Sequence, residues 1–166
     1  LFKSMVRAVK TVEDSDEPVP ARFEAILREY QKTGFRWMKT LDKCGFGGIL
    51  ADDMGLGKTI QVIALFEDTY SSGEKAPSLV VCPASLVYNW EQELQKFAPD
   101  LKVRSVVGTG PQRLELLEKI KEDPSGCQIL ITSYDLLKRD IAHYEGIDFR
   151  FQIIDEAQYI KNATPP

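Results

Sequence analysis

Apolar residues at steps of three and four mark the first part of the chain as helical. Between residues 23 and 41 they fall on one helical face at Phe23, Ile26, Leu27, Tyr30, Gly34, Trp37, Met38 and Leu41. This pattern predicts a long amphipathic helix or a pair of helices, with an interruption at Gly34. The preceding segment 13–22 is acidic and contains two prolines. We therefore expect residues 1–20 to be a linker or N-terminal extension and residues 21–166 to be the folded domain.

Short apolar runs alternate with helical stripes along the rest of the chain. Five runs predict β-strands, in segments 47–51, 78–83, 102–108, 127–133 and 149–157. Between them, Trp90 and Leu94 lie on one helical stripe, and Pro111 suits the first turn of another helix. Strands that alternate with helices pair in parallel through right-handed crossovers. The predicted fold class is therefore α/β, with a mainly parallel sheet covered by helices on both faces.

Composition narrows the possible environments and partners. With 21 basic and 25 acidic residues among 166, the formal net charge is −4, so DNA binding would need a local basic patch. No apolar run approaches the roughly 20 residues that span a bilayer, and we expect no membrane partner. The three cysteines are odd in number and widely spaced, which favours reduced packing residues in a cytosolic or nuclear compartment.

A glycine-containing loop follows the first predicted strand, where residues 51–61 read ADDMGLGKTIQ. Gly55 and Gly57 allow backbone N–H groups to curl around a phosphate. Lys58 can then reach the β- and γ-phosphates, and the Thr59 hydroxyl can ligate Mg²⁺. The loop therefore predicts a site for a magnesium-bound nucleoside triphosphate.

An acidic pair distinguishes this loop from the common phosphate-binding pattern. That pattern begins with glycine five residues before Gly57, at the position of Asp52. Because a carboxylate would repel a polyphosphate, we expect Asp52 and Asp53 to point away from the γ-phosphate. A glycine-rich turn that caps a helix, beside an incidental lysine, is the alternative.

Two further acids end the fifth predicted strand, in the sequence DEAQ at residues 155–158. The carboxyl end of a strand is where an open α/β sheet presents its ligand-binding groups. Asp155 can hold Mg²⁺ directly or through water, and Glu156 can orient or deprotonate the water that attacks the γ-phosphate. A helix cap is the structural alternative for these acids.

Four segments together resemble a known family. ILADDMGLGKTIQVIAL, VVCPASLVYNWEQEL, ILITSYDLL and IIDEAQYIKN are similar, in order and spacing, to motifs I, Ia, Ib and II of the SNF2 family of helicase superfamily 2. The resemblance covers residues 23–162 and includes the acids of the phosphate loop. It implies the first RecA-like lobe of a motor that hydrolyses ATP to move on double-stranded DNA and remodel protein–DNA complexes.

The resemblance also assigns roles to individual residues. It implies adenine recognition by Gln31, for which a solvated helix residue is the alternative, and coupling of nucleotide state to DNA contacts by Gln158. Catalysis falls to Glu156 with Lys58 and Asp155, and Mg²⁺ binding to Thr59 and Asp155. The nucleotide would contact Asp53, Met54, Gly55, Leu56, Gly57, Lys58 and Thr59. The DNA track would contain Pro83, Ser85, Leu86, Thr132, Ser133 and Tyr134, with helix caps as the alternative for Ser85 and Ser133.

Parts of the family pattern lie outside this chain. Members continue with a threonine-glycine-threonine-proline motif and a second RecA-like lobe whose arginines complete the site, so we expect this segment alone to bind ATP weakly and hydrolyse it poorly. An RNA-directed superfamily 2 lobe and a nucleotide-dependent interaction module without catalytic power are the alternatives. The expected location is a nucleus or a prokaryotic cytoplasm, in association with the nucleoid.

Overall fold

Two compact units make up the chain, residues 1–72 and residues 73–166. The computed structural model describes residues 16–50 and 57–158. In the first unit, α1 spans Ala21–Glu24, α2 spans Glu29–Lys43 and α3 spans Lys58–Ser71. The predicted pair of helices is therefore confirmed, but the break falls at residues 25–28.

Gly34 does not interrupt α2, contrary to the sequence prediction. A Cβ atom at this position would lie 1.9 Å from Gln61 Oε1 of α3. The missing side chain therefore lets α2 and α3 approach closely instead of breaking the helix. An ion pair of 2.6 Å between Lys39 Nζ and Asp68 Oδ2 also joins the two helices.

The predicted strand at Gly47–Ala51 is wrong for residues 47–50, which are irregular, while Ala51 lies outside the described residues. Helix α2 ends at Lys43, and Gly45, two residues later, has a φ of +71°. Two adjacent glycines raise the entropic cost of an ordered strand. The Ile49 side chain is 85% exposed, so its burial does not offset that cost.

The second unit contains the other four predicted strands, each confirmed in shorter form. Strand β1 spans Ser78–Cys82, β2 spans Val103–Ser105, β3 spans Ile129–Ser133 and β4 spans Gln152–Ile154. They form a parallel sheet in the order β2-β3-β1-β4. The helices between them are α4 (Val87–Phe97), α5 (Gly110–Glu122) and α6 (Tyr134–Asp140). Within the described residues, 3₁₀ turns occupy Ala84–Leu86, Pro124–Gly126 and Ile141–Tyr144.

Helix α5 begins as the sequence predicts, with Pro111 in its first turn. Thr109 Oγ1 accepts a hydrogen bond from the Gln112 backbone N–H at 3.4 Å. In return, Gln112 Oε1 accepts the Thr109 N–H at 2.9 Å. This reciprocal pair satisfies two N–H groups at the start of the helix.

Both faces of the two central strands are covered, since β1 and β3 are buried along their whole length. On one face, Leu79, Val81 and Leu130 pack with Leu117 and Ile120 of α5. Alternate residues point to the opposite face, where α4 contacts β2 and β3. The observed fold is the predicted α/β class.

The cysteines are free thiols, as expected from their spacing. Cys82 and Cys127 are buried and Cys44 is half-buried. Within residues 16–50 and 57–158, every helix is too short or too polar to cross a bilayer.

Candidate nucleotide-binding and hydrolysis site

The described end of the phosphate loop is a left-handed glycine that starts a helix. Gly57 has a φ of +73° and a ψ of 44° and is the N-cap of α3. Lys58 and Thr59 are the first two residues of that helix, and both are half-buried. Within its first turn the helix contains no acidic residue that would offset the partial positive charge of the helix end. These residues suit a bound phosphate.

Four predicted nucleotide contacts, Asp53, Met54, Gly55 and Leu56, lie outside the described residues, as does Asp52. Their assignments remain predictions.

Gln31 lies against the start of α3 within the first unit. Gln31 is only 7% exposed, so it is not the solvated helix residue that the alternative interpretation expected. Gln31 Oε1 accepts the Arg28 backbone N–H at 2.9 Å. A Cβ atom on Gly57 would lie 2.4 Å from Gln31 Nε2. The structure therefore brings the predicted adenine-binding amide next to the phosphate-loop glycine.

Asp155 follows β4 and is held by contacts to its backbone and its side chain. Its N–H donates to Val81 O at 2.8 Å, which continues the pairing of β4 with β1. Its Oδ2 accepts the Trp90 Nε1–H at 2.9 Å, and its Oδ1 accepts the Glu156 N–H at 2.9 Å. The Tyr134 hydroxyl donates to its carbonyl oxygen at 2.5 Å.

The Asp155 carboxylate still fits a role as a magnesium ligand. An ionised carboxylate has about four acceptor positions, and the two hydrogen bonds to Trp90 and Glu156 occupy one on each oxygen. The bond to the Glu156 N–H joins adjacent residues, whereas a helix cap accepts the N–H of a residue two or three positions further on. Carboxylate and hydroxyl oxygens are the ligand types that Mg²⁺ prefers, which suits both Asp155 and Thr59.

Glu156 has an unusual backbone conformation. Its φ is +54°, and among the described residues it is the one non-glycine residue with a positive φ. Such conformations cost on the order of 1–3 kcal/mol and cluster at active sites. The Glu156 carboxylate accepts a hydrogen bond from Gln158 Nε2. The predicted catalytic acid and the predicted coupling residue therefore contact each other directly.

Two groups near Asp155, the Cys82 thiol and the Tyr134 phenol, are kept protonated by their surroundings. Burial, together with the nearby Asp155 carboxylate, raises the pKa of the Cys82 thiol to about 12. Burial and the same carboxylate also raise the pKa of the Tyr134 phenol. Tyr134 therefore remains a hydrogen-bond donor to the Asp155 backbone at neutral pH.

The first group of predicted DNA contacts surrounds a 3₁₀ turn after β1. Pro83 precedes this turn, which spans Ala84–Leu86. Ser85 is exposed, whereas Pro83 and Leu86 are half-buried. Ser85 is therefore the member of this group whose side chain is open to a ligand.

The three side chains in the second group of predicted DNA contacts form hydrogen bonds within the chain. The buried Thr132 hydroxyl donates to Val106 O at 3.3 Å. Ser133 Oγ accepts the Leu136 N–H at 3.3 Å at the start of α6, so the helix-cap alternative is observed there. Tyr134 binds the Asp155 backbone. A contact to DNA here would need backbone groups or a rearrangement of these side chains.

Trp90 has a site-related contact that the sequence analysis did not predict. Its position on the apolar stripe of its helix predicts a place in the core, and Trp90 is only 2% exposed. Its hydrogen bond to Asp155 depends on β1 and β4 being neighbours. The sequence signal available was that an indole N–H in a core usually needs a polar partner.

Comparisons with known proteins identify the family of this chain. The model of the SNF2-related domain matches residues 30–165. An ATP-dependent helicase of Mycoplasma genitalium is 46% identical over 139 residues, covering 83% of this chain and 13% of the helicase. A chromatin-remodeling ATPase of Candida albicans is 40% identical over 157 residues, covering 89% of this chain and 11% of that protein.

A solved structure shares both sequence and fold with the chain. The Sulfolobus solfataricus SWI2/SNF2 ATPase core in complex with dsDNA is 47% identical, with a TM-score of 0.70. The match covers 82% of this chain and 27% of the archaeal chain, so this chain corresponds to a minor part of its relatives. The family model covers well over half of the chain, and we conclude that it belongs to the SNF2-related domain family.

Proposed function

We propose that this chain is the ATP-binding first lobe of a motor that moves on double-stranded DNA and remodels protein–DNA complexes. The observation that carries the proposal is the 47% identity to an archaeal ATPase core solved with dsDNA. The clustering of Gln31 with the start of α3, and of Glu156 with Gln158, supports it. A DNA-directed role fits a nucleus or the nucleoid of a prokaryotic cytoplasm.

Each end of the proposed nucleotide has residues suited to it. The Gln31 amide binds the adenine edge, because it can both donate and accept hydrogen bonds. Lys58 and the N–H groups after Gly57 bind the phosphates. Thr59 and Asp155 would hold Mg²⁺, which would supply positive charge to offset that of the phosphates.

The second acid, Glu156, has the proposed role of general base in hydrolysis. Glu156 orients a water molecule and accepts its proton as the water oxygen attacks the γ-phosphorus. The bond between the γ-phosphorus and the bridging oxygen breaks, and ADP and phosphate leave. Gln158 donates a hydrogen bond to Glu156 and in this proposal couples hydrolysis to DNA binding.

Two partners complete the proposed activity. Double-stranded DNA is contacted through its phosphates, at Ser85 and at backbone groups near the ends of β1 and β3. A second RecA-like lobe of the same polypeptide supplies arginines, whose effect in related enzymes is on the order of 10³–10⁵ in rate. The present segment alone should therefore turn over slowly.

The test is the ATPase rate of the full-length polypeptide with double-stranded DNA, single-stranded DNA and RNA. Double-stranded DNA should stimulate most, and Lys58→Ala should abolish the stimulation. Lys119→Ala is the matched control, because that side chain is 67% exposed on α5. Stimulation by RNA alone would favour the RNA-directed alternative, and no stimulation by any nucleic acid would favour the interaction module.

The role of Glu156 is tested separately. Glu156→Gln should leave ATP affinity within about twofold and lower the turnover rate by at least 10²-fold, as expected for loss of a general base. Glu115→Gln, at a side chain that is 66% exposed, controls for the charge change. Equal loss of binding and turnover in Glu156→Gln would contradict its proposed role.

A further inference from the structure

Two aromatic side chains hold Asp155 from different sides. The indole of Trp90 comes from α4 and donates to the carboxylate, and the phenol of Tyr134 begins α6 and donates to the backbone carbonyl. Both helices follow strands next to one another in the sheet, β1 and β3. Asp155 is therefore fixed by residues that are 65 and 21 positions away in sequence.

The contact to Trp90 restricts the rotation of the carboxylate. An aspartate at the end of a strand can turn about two side-chain bonds, and each orientation aims its lone pairs differently. Here a buried indole fixes Oδ2 and the Glu156 N–H fixes Oδ1. Because Trp90 is only 2% exposed, its own ring has little freedom to move. The acceptor positions that remain on Asp155 therefore point in set directions.

The contact to Tyr134 restricts the backbone at the same residue. Its hydroxyl donates to Asp155 O at 2.5 Å, immediately before the left-handed Glu156. A peptide held on its carbonyl side cannot rotate without breaking that bond. Tyr134 therefore stabilises the backbone of Asp155 at the turn that follows β4.

We propose that Trp90 and Tyr134 are positioning residues that prearrange Asp155 to bind the magnesium ion of the nucleotide. The proposal rests on the magnesium-binding role proposed above for Asp155. A buried tryptophan usually needs only some acceptor for its N–H. What sets Trp90 apart is that its acceptor is the carboxylate assigned to the metal. Loss of this hydrogen bond should therefore lower the Mg²⁺-dependent affinity for the nucleotide while the protein stays folded.

The experiment measures how much Mg²⁺ improves nucleotide binding by the full-length polypeptide. Isothermal titration with a non-hydrolysable ATP analogue, with and without Mg²⁺, gives the ratio of the two affinities. Replacement of Trp90 by 3-benzothienylalanine, in which sulfur takes the place of the N–H in a ring of the same shape, should lower this ratio roughly tenfold, the usual scale for a hydrogen bond to a charged group. Affinity without Mg²⁺ should stay within about twofold.

Three further variants separate the possible causes. Tyr134→Phe removes the bond to the backbone and should lower the ratio a few-fold. Leu94→Ala opens a cavity one turn along the same face of α4, where Leu94 is fully buried, and should leave the ratio unchanged. Asp155→Asn should abolish the benefit of Mg²⁺.

The outcomes distinguish the two proposals. If Asp155→Asn keeps the wild-type ratio, the magnesium role of Asp155 is wrong. If Asp155→Asn lowers the ratio but the benzothienyl variant keeps it, Trp90 is a packing residue and the positioning proposal is overturned. Equal losses with and without Mg²⁺ in the benzothienyl variant would overturn it as well.

Discussion

Arg113 of α5 and Asp140 at the end of α6 form a two-pronged ion pair inside the second unit. Arg113 Nε lies 2.6 Å from Asp140 Oδ2, and Arg113 Nη2 lies 3.0 Å from Asp140 Oδ1. Both side chains are less than a tenth exposed. The hydrogen bonds that the guanidinium donates to Asp140 raise the pKa of Arg113, and the guanidinium also donates to Gly108 O at 2.7 Å. This pair joins two helices through fixed geometry.

Removal of one partner of this pair should destabilise the fold. Arg113→Met leaves the Asp140 carboxylate buried without its guanidinium, and loss of one member of a buried pair is strongly destabilising. We expect the Tm to fall by roughly 10 °C, measured by thermal melting. Lys119→Met breaks an exposed pair with Glu115 on the same helix and should leave the Tm unchanged. Equal, small changes in both variants would contradict a structural role for the buried pair.

Gly34→Ala should destabilise the first unit although it adds a good helix former. In an ordinary helix interior this change stabilises by about 1 kcal/mol. Here the new Cβ would lie 1.9 Å from the fully buried Gln61, and the repacking should cost about 1–3 kcal/mol. Urea unfolding measures the difference, with Gly126→Ala as control because nothing lies within 4 Å of its Cβ position. The double variant Gly34→Ala/Gln61→Ala should recover part of the loss.

Gly57→Ala should impair nucleotide binding beyond its effect on stability. A side chain at a φ of +73° is strained, and here it would also displace Gln31. Gly73→Ala is a matched control, because its φ is +93° and its Cβ position has nothing within 4 Å. Both variants should lose about 1 kcal/mol of stability, but only Gly57→Ala should weaken ATP binding, measured by titration. Equal ATP affinity in the two variants would contradict the proposed contact of Gln31 with the base.

Stability should fall as the pH rises above about 9. Burial raises the pKa of Cys82 from 9.0 to about 12 and that of Cys127 from 9.0 to about 11. Below pH 9 both thiols are protonated in the folded and unfolded states alike. At higher pH the unfolded chain releases these protons first. Each thiol therefore lowers the free energy of unfolding by up to about 1.4 kcal/mol per pH unit, until the pH reaches the pKa of that thiol in the folded state.

Urea unfolding at pH 8, 9 and 10 measures this dependence. Cys82→Ala should flatten the decline between pH 9 and 10, because one of the two thiols no longer contributes. Cys44→Ser changes a half-buried thiol and serves as the control. A slope in Cys82→Ala that matches the slope of the wild-type protein would show that the Cys82 thiol titrates normally in the folded state.

Local patterns predicted the elements whose signals are contained within a few residues. The alternation of strands and helices gave the parallel sheet, and Pro111 marked the start of α5. The prediction was wrong where a glycine can either interrupt a helix or allow another helix to pack closely. Gly34 was predicted to interrupt a helix, but its role is to make room for Gln61. That distinction depends on which helix packs alongside, which the spacing of apolar residues does not encode.

The site was predictable in its motifs and not in its contacts. The DEAQ segment and the helix after Gly57 are visible in the sequence, whereas the bond from Trp90 to Asp155 joins residues 65 positions apart. It arises because β1 pairs with β4 in a register that opposes Leu79 and Gln152. Strand order is set by packing of the whole sheet, so the partner of the Trp90 N–H could not be assigned in advance.

The nearness of Gln31 to Gly57 has a consequence for substrate choice. Both residues lie in the first unit. If Gln31 binds the base as proposed, selection of the purine does not require the acids of the second unit. Discrimination between adenosine and guanosine nucleotides would then survive mutations that stop turnover altogether.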